Sequence, residues 1–173
     1  MPDSHGQPLD DMTGFVPSRA QDGPAMRELA RNAYAMYVER IGREPAPMTA
    51  DYAEIAESGG AVLAWREGIL IGMLVARVEG GALLIDNIAV APDAQGSGLG
   101  SALLLEAERV AREAGAAEVR LYTNEAMTEN LAFYGHRGFI QTHRAVVDGF
   151  RRVFLSKRIA PGCTAPVTIA PPP

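Results

Sequence analysis
The stretch that most constrains this chain runs from Leu83 to Arg112 and reads LLIDNIAVAPDAQGSGLGSALLLEAERVAR. Its opening apolar run, Leu83–Val90, is long enough for a buried strand. Pro92 ends that strand, because it has no backbone N–H to give a ladder. Gln95-Gly96-Ser97-Gly98-Leu99-Gly100 follows, and then Ala102, Leu103, Ala107, Val110, Ala111 and Ala114 recur at the spacing of one helix face. The segment is therefore strand, glycine-rich turn and helix. Such a turn aims backbone N–H groups and a helix N-terminus at one point, which suits phosphate oxygens. The competing reading is a tight strand–helix turn whose glycines serve packing alone.

Two common phosphate motifs do not fit. The dinucleotide fingerprint Gly-x-Gly-x-x-Gly fails, because Gly96, Gly98 and Gly100 have the wrong third gap. The P-loop fails, because no Gly-Lys-Ser/Thr is present. What does match is Gln-x-x-Gly-x-Gly, as Gln95, Gly98 and Gly100, behind Ile88-Ala89-Val90-Ala91-Pro92-Asp93. This resembles motif A of the GNAT superfamily of acyl-CoA-dependent N-acetyltransferases. The resemblance implies acetyl-CoA as the acyl-donor substrate. It places the pantetheine arm on the strand backbone at Ile88, Ala89 and Val90. The pyrophosphate would then meet the loop and helix start at Gln95, Gly96, Ser97, Gly98, Leu99, Gly100 and Ser101.

Length and composition agree with one globular domain. The chain has 173 residues, 47% of them hydrophobic and 21% charged, enough to bury a core. The net charge of −5 argues against a nucleic-acid partner, whose footprint would be basic. It is compatible with a cationic amine acceptor, and solubility explains it equally well. Cys163 is the only cysteine, so no disulfide framework, thiol nucleophile or cysteine-based metal site is expected. His136 and His143 read as surface residues, and no metal is expected. The N-terminus lacks the basic and apolar regions of a signal peptide. The longest apolar run, around Ile69–Val78, is too short to span a bilayer. No membrane partner is expected, and a cytoplasmic protein is the default.

Taken in order, residues 1–12 read as a polar, disordered leader. Phe15–Ala20 is expected as a first edge strand, and one helix is expected from Asp22 to Gly42 on the spacing of Met26, Leu29, Ala33, Tyr37 and Ile41. Pro45 and Pro47 exclude helix from the linker over 43–48. Thr49 is expected to cap a short helix over Ala50–Glu57. Strands follow at Ala61–Trp65, Ile69–Val78 and Leu83–Val90 as an antiparallel meander. After the long helix come a strand at Glu118–Thr123, a short helix at Glu129–His136 capped by Thr128, and a hairpin of Gly138–Val147 and Arg151–Ile159 around Asp148-Gly149. The proline-rich residues 160–173 read as a loosely attached tail. The order β-α-α-β-β-β-α-β-α-β-β is that of the GNAT fold: an α/β (α+β) protein with a mixed, mostly antiparallel sheet, flanking helices and one parallel β-α-β crossover. The GNAT domain is placed at 13–159.

A second match lies at Asn130-Leu131-Ala132-Phe133-Tyr134-Gly135-His136-Arg137-Gly138-Phe139. It resembles the family's Asn-x-x-x-x-Tyr-x-x-x-Gly-Phe, shifted by one residue in the first gap. The resemblance gives Asn130 to the cofactor arm and sets Tyr134 near the thioester sulfur. Chemistry makes a phenol suitable there. An amine attacking a thioester expels a thiolate, and a group with pKa about 10 stays neutral at pH 7 while offering a proton. The amine must also lose a proton. Asp86 is the candidate base, a water chain is the alternative, and Glu125 and Tyr122 are weaker candidates. Asp86 reads equally well as the partner of Arg77 on the neighbouring strand.

On the acceptor side, the family covers its site with the first helices and their linker. Here Tyr37, Arg40, Met48 and Tyr52 are the candidate pocket residues, with Arg40 suited to a substrate carboxylate. Helix packing and a structural salt bridge are the competing reading for each. The whole reads as an N-acetyltransferase moving an acetyl group from acetyl-CoA to an amine of a small molecule or peptide, by direct attack in a ternary complex. The alternative is a non-catalytic acyl-CoA-binding or sensing module. A homodimer stays open.

Overall fold
The computed structural model describes residues 12–160; residues 1–11 of the expected leader and 161–173 of the proline-rich tail lie outside the described residues, and Met12, expected in the leader, begins the first strand. Seven strands form one sheet in the order β1-β2-β3-β4-β5-β7-β6. They are β1 (Met12–Pro17), β2 (Ala61–Arg66), β3 (Ile69–Glu79), β4 (Ala82–Val90), β5 (Glu118–Asn124), β6 (Ile140–Val147) and β7 (Phe150–Arg158). Every neighbouring pair is antiparallel except β4 and β5, which run parallel and are joined through a crossover helix. That helix, α5 (Leu99–Glu113), buries Leu99, Leu103, Leu104, Ala107 and Ala111 as one stripe against the sheet. Its close approach depends on Gly72 of β3, where an added Cβ would stand 2.8 Å from Leu99 Cδ2.

The other face carries α1 (Gly23–Tyr34), α2 (Tyr37–Ile41), α3 (Ala46–Thr49) and α4 (Tyr52–Glu57). Met26, Leu29, Ala30 and Tyr52 pack there on Leu63, Met73 and Val75. Helix α6 (Thr128–Gly135) joins the α5 side through Tyr134, beside Phe139. The sheet thus has a separate apolar core on each face, the layered solution expected when both faces of a sheet are apolar.

Several local expectations give way to finer structure. The single helix expected from Asp22 divides after Tyr34, where the Val38 N–H bonds to the Ala35 carbonyl and tightens the turn; Ala35 and Met36 keep right-handed helical dihedrals. The linker expected to be non-helical contains α3. Its prolines fall at the N-cap (Pro45) and in the first turn (Pro47), where no N–H is required. Thr49 ends that turn rather than capping the next. Asp51 caps α4 instead, accepting the Ala53 and Glu54 N–H groups at 3.1 and 3.2 Å. Thr128 is the first residue of α6, and its N-cap is Met127.

Candidate functional site
The site begins with a bulge. Val75 pairs with Asn87 and Ala76 with Ile85, so Asp86 is an extra residue on β4. The bulge reverses the alternation of side chains. Before it, Leu83 and Ile85 face α5; after it, Ile88 and Val90 do, while Asn87 and Ala89 turn to the α1 side. Parallel pairing of β4 with β5 stops at Ile85 and Leu121, immediately before the bulge. Beyond that point β5 stays with β7, and β4 stays with β3. The two central strands therefore part, and their C-terminal ends frame a cleft, the usual place for a ligand where parallel strands diverge.

One side of the cleft is a cavity of about 530 Å³ lined by Ile88, Ala89 and Val90 of β4, by Gln95, Gly96, Gly98, Gly100 and Ser101, and by Asn130, Phe133, Tyr134 and Arg137. Gly96 and Gly98 have φ of +79° and +89°, a region only glycine enters without strain, and Gly98 turns the chain directly into α5. Gln95 folds back and donates its Nε2 to the Val90 carbonyl at 3.3 Å, closing the loop. Arg137 lies over the Phe133 ring at 3.7 Å, donates to the Phe133 carbonyl at 3.1 Å, and bonds Ser101 Oγ. A guanidinium thus stands at the start of α5, where positive potential already favours an anion. Ser97 is half-buried and donates to the Ala94 carbonyl, and the Leu99 side chain sits in the core, so Leu99 offers a ligand only its backbone.

The other side is a smaller cavity, about 50 Å³, between Pro45-Ala46-Pro47 and the ends of β4, β5 and β7. Asp86, Asn87, Tyr122, Asn124, Phe150 and Arg152 line it. Asp86 forms a short ion pair with Arg77. Arg43 lies over the Phe150 ring at 3.4 Å and donates to the Asp148 carbonyl at 2.6 Å, fastening the linker across the β6–β7 hairpin.

Tyr34, Ile88, Asn130 and Tyr134 line both cavities. Tyr134 is 8% exposed, its ring edge-on to Phe133 and Phe139. Its hydroxyl makes no hydrogen bond among the described residues. Burial, and then the nearby Tyr37, push its pKa above that of a free phenol. It is therefore a neutral O–H at the seam between two cavities. Asn130 sits opposite, its Nδ2 3.5 Å from Thr123 Oγ1.

The residues chosen for the acceptor separate into two groups. Tyr37 lines the larger cavity, and Arg40 stands beside it, its Nη1 paired with both carboxylate oxygens of Glu129 at 2.8 and 2.9 Å. Met48 and Tyr52 line neither cavity. They are buried under α1, where Tyr52 donates to the Pro47 carbonyl at 2.6 Å. Sequence reasoning did not single out Tyr34, Asn87, Arg137 or Arg152. Asn87 carried a signal, a lone amide inside an apolar strand, and it is explained by Tyr34 and Tyr52, to which it bonds at 2.6 and 3.0 Å. Arg137 has its aromatic partner, Phe133, four residues earlier in the sequence, whereas Arg152 lies over Tyr122 of another strand, a pairing recognisable only in the fold. No cluster of His, Cys, Asp and Glu among the described residues could hold a metal ion.

Comparison with known proteins gives the same grouping. Residues 24–139 match the model of the Acetyltransferase (GNAT) family. A mycothiol acetyltransferase of Cellulomonas flavigena is 31% identical over 147 residues, which cover 78% of this chain and 42% of that protein, so the chain spans about two fifths of that relative's length. Among solved structures, the PaiA N-acetyltransferase of Thermoplasma acidophilum in complex with coenzyme A superposes with a TM-score of 0.67 at 19% identity, covering 85% of this chain and 98% of its own. The ribosomal-protein-S18-alanine N-acetyltransferase of Escherichia coli gives 0.67 at 21% identity, covering 85% and 94%. With a matched family model over most of the described residues and the same fold in these enzymes, the chain belongs to the GNAT acetyltransferase family.

Proposed function
We propose that this protein transfers an acetyl group from acetyl-CoA to a primary amine in a single ternary complex. The observation that carries the reading is the unpartnered Tyr134 hydroxyl where the large cavity meets the small one. The donor would lie in the larger cavity. Gly96, Gly98 and the first amides of α5 suit its pyrophosphate, Arg137 adds positive charge, and the unpaired edge of β4 beyond the bulge suits its amide-bearing arm. The acceptor would enter from the side of Asp86, Tyr122 and Asn124.

In this arrangement the neutral amine nitrogen attacks the thioester carbonyl, a new C–N bond forms, and the C–S bond breaks. Tyr134 gives its proton to the departing thiolate. The proton lost by the amine passes to Asp86, which Arg77 holds in place, or to water in the cleft. No protein nucleophile is required, so the chain's role is to align two substrates and supply one proton.

The test is thiol release from acetyl-CoA in the presence of amines, amino acids, polyamines and peptides. Turnover with at least one amine, absent without it, is expected. Gly98→Val places a Cβ at φ +89° and should weaken acetyl-CoA binding by about tenfold or more, read by calorimetry on the folded variant. Unchanged affinity would remove the loop from the donor site. Tight acetyl-CoA binding without turnover on any amine would make the protein an acyl-CoA sensor.

A further inference from the structure
We infer that the acceptor carries a carboxylate as well as its amine, and that Arg152 receives it. The inference rests on the acyltransferase reading and names the substrate class for the smaller cavity. Arg152 sits on β7 opposite Asn124 of β5, and both line that cavity. Its side chain is only 12% exposed. The guanidinium lies over the Tyr122 ring at 4.2 Å, with the Phe150 ring at 6.0 Å. Aromatic faces on a guanidinium fix its plane and leave its N–H edge for a ligand.

That edge is under-used. Among the described residues the Arg152 side chain makes no hydrogen bond, and its one anion is Asp148, 3.6 Å away on a side chain that is 78% exposed. No buried side-chain nitrogen lacks a partner among the described residues, so the Arg152 nitrogens are not sealed in the protein, and their five donors in a fixed fork remain open to a ligand's oxygens. Arg109 shows what a satisfied fork looks like here: its Nε and Nη2 engage Glu106 and its Nη1 engages Glu113. Arg66 has a similarly loose ion pair, with Asp93 at 3.8 Å, but it lines neither cavity.

The cavity also contains the opposite charge. Asp86 lies on the β4 side, and the β4 side leads to Tyr134. An acceptor with an ammonium near Asp86 and a carboxylate at Arg152 would match both ends. A planar carboxylate fits a guanidinium fork with two parallel hydrogen bonds. An amine of amino-acid type is therefore the class that the cavity selects.

The experiment compares each carboxylated amine with its own amide: glycine with glycinamide, β-alanine with β-alaninamide, 4-aminobutyrate with its amide, and L-phenylalanine with L-phenylalaninamide. Expected is a preference in kcat/KM for at least one acid over its amide of about 10- to 100-fold, the range of a charge-assisted fork. Arg152→Gln should raise KM for that acid by a similar factor, leave the amide's KM unchanged, and leave the KM for acetyl-CoA unchanged. Arg152→Lys, which keeps the charge and loses the fork, should fall between. Calorimetric titration of the same pairs into protein saturated with coenzyme A gives a readout independent of turnover. Amides bound or turned over as well as acids, or Arg152→Gln changing both alike in a folded protein, would overturn the assignment. Absence of turnover with acid-selective, Arg152-dependent binding would leave it standing and fail the acyltransferase reading alone.

Discussion
Tyr34 donates its hydroxyl proton to Asn87 Oδ1 at 2.6 Å, joining the last turn of α1 to the β4 segment just past the bulge. The chain continues inward. Asn87 Nδ2 donates to the Tyr52 hydroxyl at 3.0 Å, which donates to the Pro47 carbonyl at 2.6 Å. Three buried side chains thereby tie α1, the proline linker and the displaced half of β4 into one hydrogen-bonded line. The linker along the smaller cavity is held from one end by this line and from the other by Arg43 on Phe150.

Asn87→Leu keeps the volume and removes both amide partners. Tyr34 retains the Ile88 carbonyl at 3.1 Å, so the loss is partial: about 1–3 kcal/mol of unfolding free energy, the cost of stranding a buried polar group. Urea unfolding reads it. Tyr34→Phe combined with Asn87→Leu should cost less than the sum of the two single changes, since both break the same bond. Strict additivity would show that the line is not cooperative.

Stability should also fall in alkali through the same tyrosines. Burial pushes the Tyr52 pKa up to about 12, partly offset by the bond from Asn87, and raises Tyr34 as well. In the unfolded chain tyrosine ionises near 10. Between these values the unfolded state has released protons that the folded state still holds, so unfolding is favoured as pH rises. The contribution is intact below pH 10 and is lost as the pH climbs from about 10 toward 12. Unfolding free energy measured across pH 8–12 should be flat and then decline. Tyr52→Phe should make the decline shallower even though the variant is weaker at neutral pH.

The strand, turn and helix around Gly98 were legible in sequence because each rests on local backbone chemistry: Pro92 without a donor, Gly96 and Gly98 at positive φ, and an apolar stripe from Leu99 to Ala111. The bulge was not legible. Leu83–Val90 reads as one apolar run with Asp86 and Asn87 inside it, and only the pairing of Val75 with Asn87 and of Ala76 with Ile85 shows that Asp86 has been skipped. Met48 and Tyr52 show a second limit. A pocket wall and a core use the same residue types, and the register of α3 and α4 on the sheet decides which of the two they form. Arg152 shows a third: it is set by the aromatic face of Tyr122, which belongs to a different strand. For Asp86, the ion pair with Arg77 that the sequence offered is present, and the same residue lines the smaller cavity.

Tyr134→Phe isolates the proton at the seam. The ring would keep its edge-on contacts with Phe133 and Phe139, and the lost hydroxyl has no protein partner to strand. Stability should therefore change by less than about 0.5 kcal/mol, and acetyl-CoA affinity should not change. Turnover should fall about 10²- to 10⁴-fold, the range for a positioned acid. The fall should be equal in kcat and kcat/KM, because the bond to the departing thiolate exists only in the transition state. The wild-type pH profile adds an independent check. Burial holds the Tyr134 proton above the range of a free phenol, so no alkaline limb from this group should appear below pH 10, and the ascending limb should report deprotonation of the amine. A rate that survives the substitution would assign thiolate protonation to water and leave Tyr134 as a wall between the two cavities.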